Sequence, residues 1–144
     1  MTSYDQIYER FSQKITDFKI LELSDSDVRQ MMHGWLMTAI AKFRRCTTDL
    51  SDRDEDLEEF NNDLLDIEIE ILAQLMVCAW IEPQMNSDLY ISQFYGGKEE
   101  KWFAQSNQLN SIITLHRQSY LTAQKLMRDY GYQTAIWDAR EEST

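Results

Sequence analysis

The feature that most constrains the fold of this chain is its near lack of residues that interrupt helices. Its 144 residues include one proline and four glycines. A β-sandwich or β-barrel needs many turns, and turns use both residue types heavily. Hydrophobic residues make up 43% of the chain, so a buried core can form. The sequence predicts an all-α fold: a single-domain bundle of about five to six helices with a long C-terminal helix and an extended C-terminal tail.

Hydrophobic residues that recur every three or four positions predict where the helices lie. The predicted segments are 4–15, 24–45, 57–65, 67–81, 87–94 and 99–130. Segment 67–81 is apolar on nearly every side, which is typical of a helix at the centre of a bundle. Pro83 is expected to end that helix, because proline lacks the N–H that would continue the helical hydrogen bonds.

The last predicted helix carries a seam of residues in strict 4–3 alternation, which is the pattern of a heptad repeat. The seam consists of Trp102, Ser106, Leu109, Ile113, His116, Tyr120, Ala123, Met127 and Tyr130. Gly131 follows directly, and glycine is common just after a helix C-terminus. The sequence therefore predicts a helical domain over residues 1–131 and a tail over residues 132–144.

The predicted tail is mainly polar but contains the large side chains of Tyr132, Ile136 and Trp137. An Ile-Trp pair needs a surface against which to pack. The tail either packs on its own domain or acts as a docking arm that buries these side chains on a neighbouring protein. Buried aromatic side chains often dominate the energy of such an interface.

Negative charge is concentrated in one part of the chain. The net charge is −11, and residues 49–70 hold eleven acidic residues and a single basic one. The acidic face predicted there comprises Asp49, Asp52, Asp54, Glu55, Asp56, Glu58, Glu59 and Asp63. Such a face can simply keep the protein soluble, steer a basic partner, or keep a surface from sticking to DNA.

Basic residues form one small cluster, made of Lys42, Arg44 and Arg45 at the end of the second predicted helix. Sequence-specific binding of nucleic acid is not expected, because phosphate contacts need larger groups of lysine and arginine. No apolar run approaches the roughly 18 residues that a membrane span needs, and the polar N-terminus does not resemble a signal peptide.

A search for catalytic or metal-binding patterns gives little. His33 and His116 do not occur in the Glu-x-x-His pairs of di-iron bundles, and Cys46 and Cys78 are too isolated for a zinc site. Asp52, Asp54 and Asp56 resemble the start of a calcium loop, but Leu57 stands where such a loop requires glycine. Glycine-rich phosphate-binding motifs are absent. The sequence thus predicts no enzyme, no cofactor and no metal, and a catalytic site assembled from distant residues is the alternative.

The order of several short segments resembles the small helical neck proteins of tailed bacteriophages, the head–tail connector or head-completion family. The matching stretches are residues 7–15, Leu21-Glu22-Leu23-Ser24, residues 39–44, residues 49–52, Phe60-Asn61, residues 68–72 and residues 80–83. The resemblance covers roughly residues 4–130 and is carried by structural positions.

This resemblance implies a structural virion protein, assembled in the host cytoplasm. Its members form a homo-oligomeric ring, commonly twelvefold, that binds the portal protein and other neck or tail proteins and extends the DNA channel. Residues 49–70 would then line a channel that repels DNA, and residues 132–144 would form the docking arm. The alternative hypothesis is an acidic regulatory module, such as an inhibitor that mimics the charge of DNA.

Overall fold

The computed structural model of the protein describes residues 1–15, 25–94 and 99–142; within these, residues 85–94, 99–109 and 135–142 are described by their backbone alone. Four helices and three short strands make up these segments. The helices are α1 (Tyr4–Lys14), α2 (Asp25–Lys42), α3 (Asp66–Phe94) and α4 (Glu99–Glu142), and the strands are β1 (Thr2–Ser3), β2 (Arg53–Asp54) and β3 (Glu59–Phe60). The protein is therefore mostly helical, as predicted.

Helix α3 is the centre of the fold, and α1, α2 and α4 all pack against it. Every residue from Ile71 to Ala79 is buried, which confirms the prediction of a central helix. The largest fully buried side chains include Tyr4, Phe11 and Phe60. Burying an aromatic or aliphatic side chain of this size contributes about 1.5–3 kcal/mol, so the core is held mainly by these contacts.

The predicted helix over residues 57–65 is wrong. Strands β2 and β3 form an antiparallel hairpin there, and β1 pairs antiparallel with the other edge of β3. The Asp54 carboxylate accepts hydrogen bonds from the backbone N–H groups of Asp56 (2.9 Å) and Leu57 (3.0 Å). Glu58 has a positive φ of 52°. These local bonds favour a turn over a helix. In the strand that follows the turn, the side chain of Phe60 is buried.

Pro83 does not end its helix, so two predicted helices, 67–81 and 87–94, are one. Proline removes the helical hydrogen bond to the carbonyl four positions earlier and usually kinks or ends a helix, but packing of α3 against α1, α2 and α4 carries the helix past it. Pro83 is exposed, and the Gln84 side chain donates to the Trp80 carbonyl at 3.3 Å. Within the described residues, the five to six predicted helices are therefore four.

Gly131 does not end α4 either, and the predicted extended tail is helical as far as Glu142. Gly131 has no positive φ, so its backbone is compatible with the helix. The Thr134 hydroxyl donates to the Tyr130 and Gly131 carbonyls, at 3.1 and 3.0 Å. The proposed boundary at residue 131 thus falls inside a continuous helix. The side chains of Ile136 and Trp137 lie outside the described part of the protein.

The face of α4 that meets the core differs in part from the predicted seam. Between residues 110 and 130, buried or half-buried side chains occur at Ile112, Ile113, His116, Ser119, Ala123, Leu126, Met127 and Tyr130. Five of these positions belong to the predicted seam, but Tyr120 is 46% exposed. The side chains of Trp102, Ser106 and Leu109 lie outside the described part of the protein. The buried face is wider than the seam because contact with the core also covers Ile112, Ser119 and Leu126 in the neighbouring heptad frame.

Candidate assembly surfaces

A cleft of about 660 Å³ lies between the turn that follows α2 and the C-terminal half of α4. We call it the basic cleft; it is lined by Arg44, Arg45, Gln124, Met127, Arg128, Gly131 and Tyr132. It brings together part of the predicted basic cluster and the first residue of the predicted docking tail. Within the described residues, none of its three arginines has an ion-pair partner, although the protein as a whole is strongly acidic.

The turn after α2 is fixed to α4 by hydrogen bonds to Tyr130. The Thr47 backbone N–H donates to the Tyr130 hydroxyl at 2.8 Å, and the Thr47 side chain lies 2.7 Å from the same oxygen. The Phe43 and Tyr130 rings meet edge to face, with 5.5 Å between their centroids. Arg45 has a positive φ of 61°, which sharply redirects the chain. These contacts hold Arg44 and Arg45 opposite Arg128.

Glu68 is the buried acceptor on which this arrangement depends. Its side chain is fully buried and receives hydrogen bonds from the Tyr130 hydroxyl (2.8 Å), the Thr48 hydroxyl (2.9 Å), the Cys46 thiol (3.2 Å) and the Leu65 backbone N–H (2.8 Å). Burial raises the pKa of Glu68, but the four donated hydrogen bonds outweigh it and hold the pKa below its ordinary value. Glu68 is therefore a satisfied structural carboxylate.

Lys42, the third member of the predicted basic cluster, does not line the cleft. Its ammonium lies 3.0 Å from the Glu82 carboxylate on α3, and His116 lies 3.4 Å from the same oxygen. Burial raises the pKa of Glu82, whereas Lys42 and His116 lower it, and the net shift is downward. The predicted cluster is thus divided between a helix–helix ion pair and an open arginine surface.

The predicted acidic face is a hairpin with flanking turns, in which most carboxylates already have partners. Asp49 accepts from Ser51, Asp52 from Asn61 and Asn62, and Asp54 from backbone N–H groups. Asp63 pairs with the chain's N-terminal amine. Within the described residues, the carboxylates of Asp56 and Glu59 have no hydrogen-bond or ion-pair partner, and Leu57 between them is 67% exposed. We call residues 53–60 the acidic hairpin.

Charged side chains attach this hairpin to α1 and α2. Glu55 contacts His33 (2.7 Å), Arg53 (2.7 Å) and the Tyr4 hydroxyl (3.2 Å). The Arg53 hydrogen bond is the main reason that the pKa of Glu55 is lowered. Arg29 bridges Asp5 and Glu58. Arg29, His33, Glu55 and Glu58 line a second and smaller cleft of about 370 Å³, together with Ser26 and Gln30.

The His33–Glu55 pair resembles half of a catalytic triad, and Ser26 lines the same cleft. However, Ser26 and His33 are seven residues apart on α2, which separates their backbones by about 10.5 Å along the helix axis. A serine nucleophile must lie within about 3.2 Å of the histidine that activates it. The spacing along α2 therefore does not suit a Ser-His pair, and the contacts of His33 are those of a residue that holds the hairpin in place.

Helix α4 also presents exposed side chains on the side away from α3. Residues spaced three or four positions apart lie along one side of a helix, and this outer strip comprises Arg117, Leu121, Gln124, Arg128 and Tyr132. Leu121 is 55% and Tyr132 is 66% exposed. The strip continues into the basic cleft, so apolar and cationic groups share one surface.

The described residues contain no group of three or more His, Cys, Asp or Glu side chains placed to hold a metal ion. Asp52, Asp54 and Asp56, considered above for calcium, do not converge: Asp52 binds asparagine side chains, and Asp54 binds the backbone of its own turn. Across the same described segments, no helix is both long and apolar enough to cross a bilayer.

Comparison with known proteins adds no relative: no family model, no curated protein and no solved structure matches this chain. The functional interpretation therefore rests on the residues themselves. Sequence reasoning singled out Arg44, Arg45 and Tyr132 and assigned Met127 to the helix seam, but it missed Arg128 and Gln124. Successive residues in the set Gln124, Arg128 and Tyr132 are four positions apart, which indicates that they share one side of a helix. Only the fold brings that side of α4 next to the turn after α2.

Proposed function

We propose that this protein is a structural subunit of the neck of a tailed bacteriophage, which acts through contact surfaces and not through a reaction. It forms a ring with other copies of itself, joins the portal protein to the tail and extends the DNA channel. Its location is the virion, at the interface between head and tail. The resemblance of residues 4–130 to the connector family and the surfaces of α4 support this proposal.

The observation that carries the proposal is the length and surface of α4. A helix of 44 residues is about 66 Å long. A compact domain of this chain length has a radius of gyration of about 14.5 Å, equivalent to a sphere of about 37 Å diameter. Helix α4 is therefore longer than a single compact domain can cover, and the outer strip offers Leu121 and Tyr132 to other subunits. Contacts between subunits would bury such surface.

The acidic hairpin bears on the alternative, an inhibitor that mimics the charge of DNA. Such a protein needs many carboxylates directed at a basic partner, whereas Asp52, Asp54, Glu55, Glu58 and Asp63 accept hydrogen bonds within their own chain. Because these carboxylates already accept hydrogen bonds within the chain, the assembly role is favoured over the inhibitor.

Size-exclusion chromatography with multi-angle light scattering tests the proposal. The 17.1 kDa chain is examined alone and mixed with cognate portal rings, and the ring is then imaged by electron microscopy. We expect a ring of many copies, formed alone or on the portal. A protein that stays monomeric in both experiments would contradict the proposal, and salt-sensitive binding to a basic protein would favour the inhibitor.

A further inference from the structure

We propose that the acidic hairpin of one copy binds the basic cleft of the next copy and so forms the repeated contact of the ring. This inference rests on the proposed ring assembly and names the residues that produce it. The hairpin supplies the carboxylates of Asp56 and Glu59 with Leu57 between them, and the cleft supplies Arg44, Arg45 and Arg128 beside the apolar side chains of Met127 and Tyr132.

Charge complementarity supports this pairing. Three guanidinium groups line a cleft of about 660 Å³ without an ion-pair partner in the described residues. The hairpin carries unpaired carboxylates on a chain whose net charge is −11. An anionic segment of a second copy satisfies both surfaces, because arginine binds carboxylates through paired hydrogen bonds. Complementary charges of this kind also fix the register of an interface.

Apolar groups match in the same way. Leu57 lies at the turn of the hairpin and is 67% exposed, although the turn itself needs no large apolar side chain. The cleft contains the thioether of Met127 and the ring of Tyr132, both of which adapt well to an inserted leucine. The hairpin thus offers a leucine beside carboxylates, and the cleft offers apolar side chains beside arginines.

One copy cannot make this contact with itself. The hairpin is bound to the N-terminal half of α2, through Glu58 to Arg29 and through Glu55 to His33. The cleft begins beyond Lys42, the last residue of α2, which lies about 14 Å along the helix axis from His33. The two surfaces are thus different and separated, so each copy can bind one neighbour through its hairpin and a second neighbour through its cleft, which is head-to-tail pairing. Head-to-tail pairing generates a ring when the rotation between copies closes.

Charge reversal on each side tests the interface. The first variant carries Arg44→Glu and Arg128→Glu, and the second carries Asp56→Lys and Glu59→Lys. Each variant alone should assemble at least roughly tenfold more weakly than the unchanged chain, because close charge pairs at interfaces are worth this factor or more. An equimolar mixture should assemble again, with the two variants alternating in a 1:1 ratio by native mass spectrometry.

Matched controls keep the charge change but move it off the interface. Lys125→Glu lies on the same helix but belongs to neither the basic cleft nor the outer strip, and Glu9→Lys lies on the exposed side of α1; both should assemble as the unchanged chain does. Circular dichroism shows whether every variant is folded. In addition, p-benzoylphenylalanine in place of Leu57 should cross-link to residues 124–132 of another copy on illumination.

The outcomes separate this inference from the proposed function. If the unchanged chain forms rings and the charge-reversed variants form them equally well, this interface is wrong and the ring proposal stands. Cross-links from position 57 to the portal alone, or a mixture that fails to assemble, would also overturn the interface. If the unchanged chain is monomeric alone and with portal rings, both proposals fail.

Discussion

The Tyr130 hydroxyl donates a 2.8 Å hydrogen bond to the Glu68 carboxylate, which joins the C-terminal half of α4 to the first turn of α3 across 62 residues of sequence. Both side chains are buried. The same hydroxyl oxygen accepts the Thr47 N–H, so the turn that carries Arg44 and Arg45 is fixed by the same contact. The shape of the basic cleft therefore depends on a pair of residues that do not line it.

Replacing Tyr130 by phenylalanine tests this dependence. Tyr130→Phe leaves the ring in the core but removes the donor to Glu68 and the acceptor of Thr47. We expect the free energy of unfolding to fall by about 1.5–3 kcal/mol, the range for a hydrogen bond to a charged group. Urea denaturation followed by circular dichroism measures it. Tyr132→Phe, on the exposed side of the same helix, is the control and should change stability by less than about 0.5 kcal/mol.

Stability should fall in acid because of Glu68, Glu70 and Glu82, whose pKa values are lowered from an ordinary 4.5. In each case burial raises the pKa, but hydrogen bonds or neighbouring cations lower it by a larger amount. A carboxylate with a lowered pKa in the folded state stabilises the protein above its unfolded pKa. That contribution is lost as the pH falls through the folded pKa.

The free energy of unfolding should therefore be nearly constant from about pH 6 upward with respect to these groups and decline below about pH 4.5. Denaturant titrations at a series of pH values measure this. Tyr130→Phe removes one of the hydrogen bonds that lower the pKa of Glu68, so the part of the decline that comes from Glu68 should be smaller and should end at a higher pH than in the unchanged chain. Identical pH profiles for the two proteins would show that the pKa of Glu68 does not depend on this bond.

The positive φ of Arg45 makes glycine the better residue at that position. A residue with a side chain in the left-handed region costs roughly 1 kcal/mol relative to glycine. Arg45→Gly should therefore be more stable than Arg45→Ala by about 1 kcal/mol, although both lose the same guanidinium. At Arg44, whose φ is not positive, alanine should be the more stable of the pair. Thermal unfolding of the four variants measures whether glycine or alanine is the more stable residue at each position.

Pro83 lies within α3 and leaves the Ala79 carbonyl without its usual helical donor. Pro83→Ala restores that N–H at an exposed position, and we expect the free energy of unfolding to rise by about 1–3 kcal/mol. Gln84→Ala is the matched neighbour and should lower stability slightly, because it loses the donor to Trp80. If Pro83→Ala were instead less stable, the proline would stabilise the protein more by restricting the unfolded chain than it destabilises the helix.

The helical fold and the central place of α3 could be predicted, since glycine and proline are scarce and the 15-residue segment 67–81 is apolar on nearly every side. The hairpin could not be predicted. Residues 57–65 have apolar side chains at helical spacing, but pairing of Phe60 with β1 and the turn bonds of Asp54 outweigh that preference. Likewise, Pro83 and Gly131 end many helices, but packing of the segments before them against the core carries the helices past both residues.

The sequence by itself determined which residues are hydrophobic at helical spacing, where negative charge is concentrated, and that familiar catalytic motifs are absent, because these are local properties of the chain. Only the tertiary structure decided which carboxylates have partners, that Lys42 separates from Arg44 and Arg45, and that Arg128 and Tyr132 join the two arginines in one cleft. The physical reason is distance: hydrogen bonds and ion pairs act over a few ångströms, and residues far apart in the chain come that close only through packing around α3.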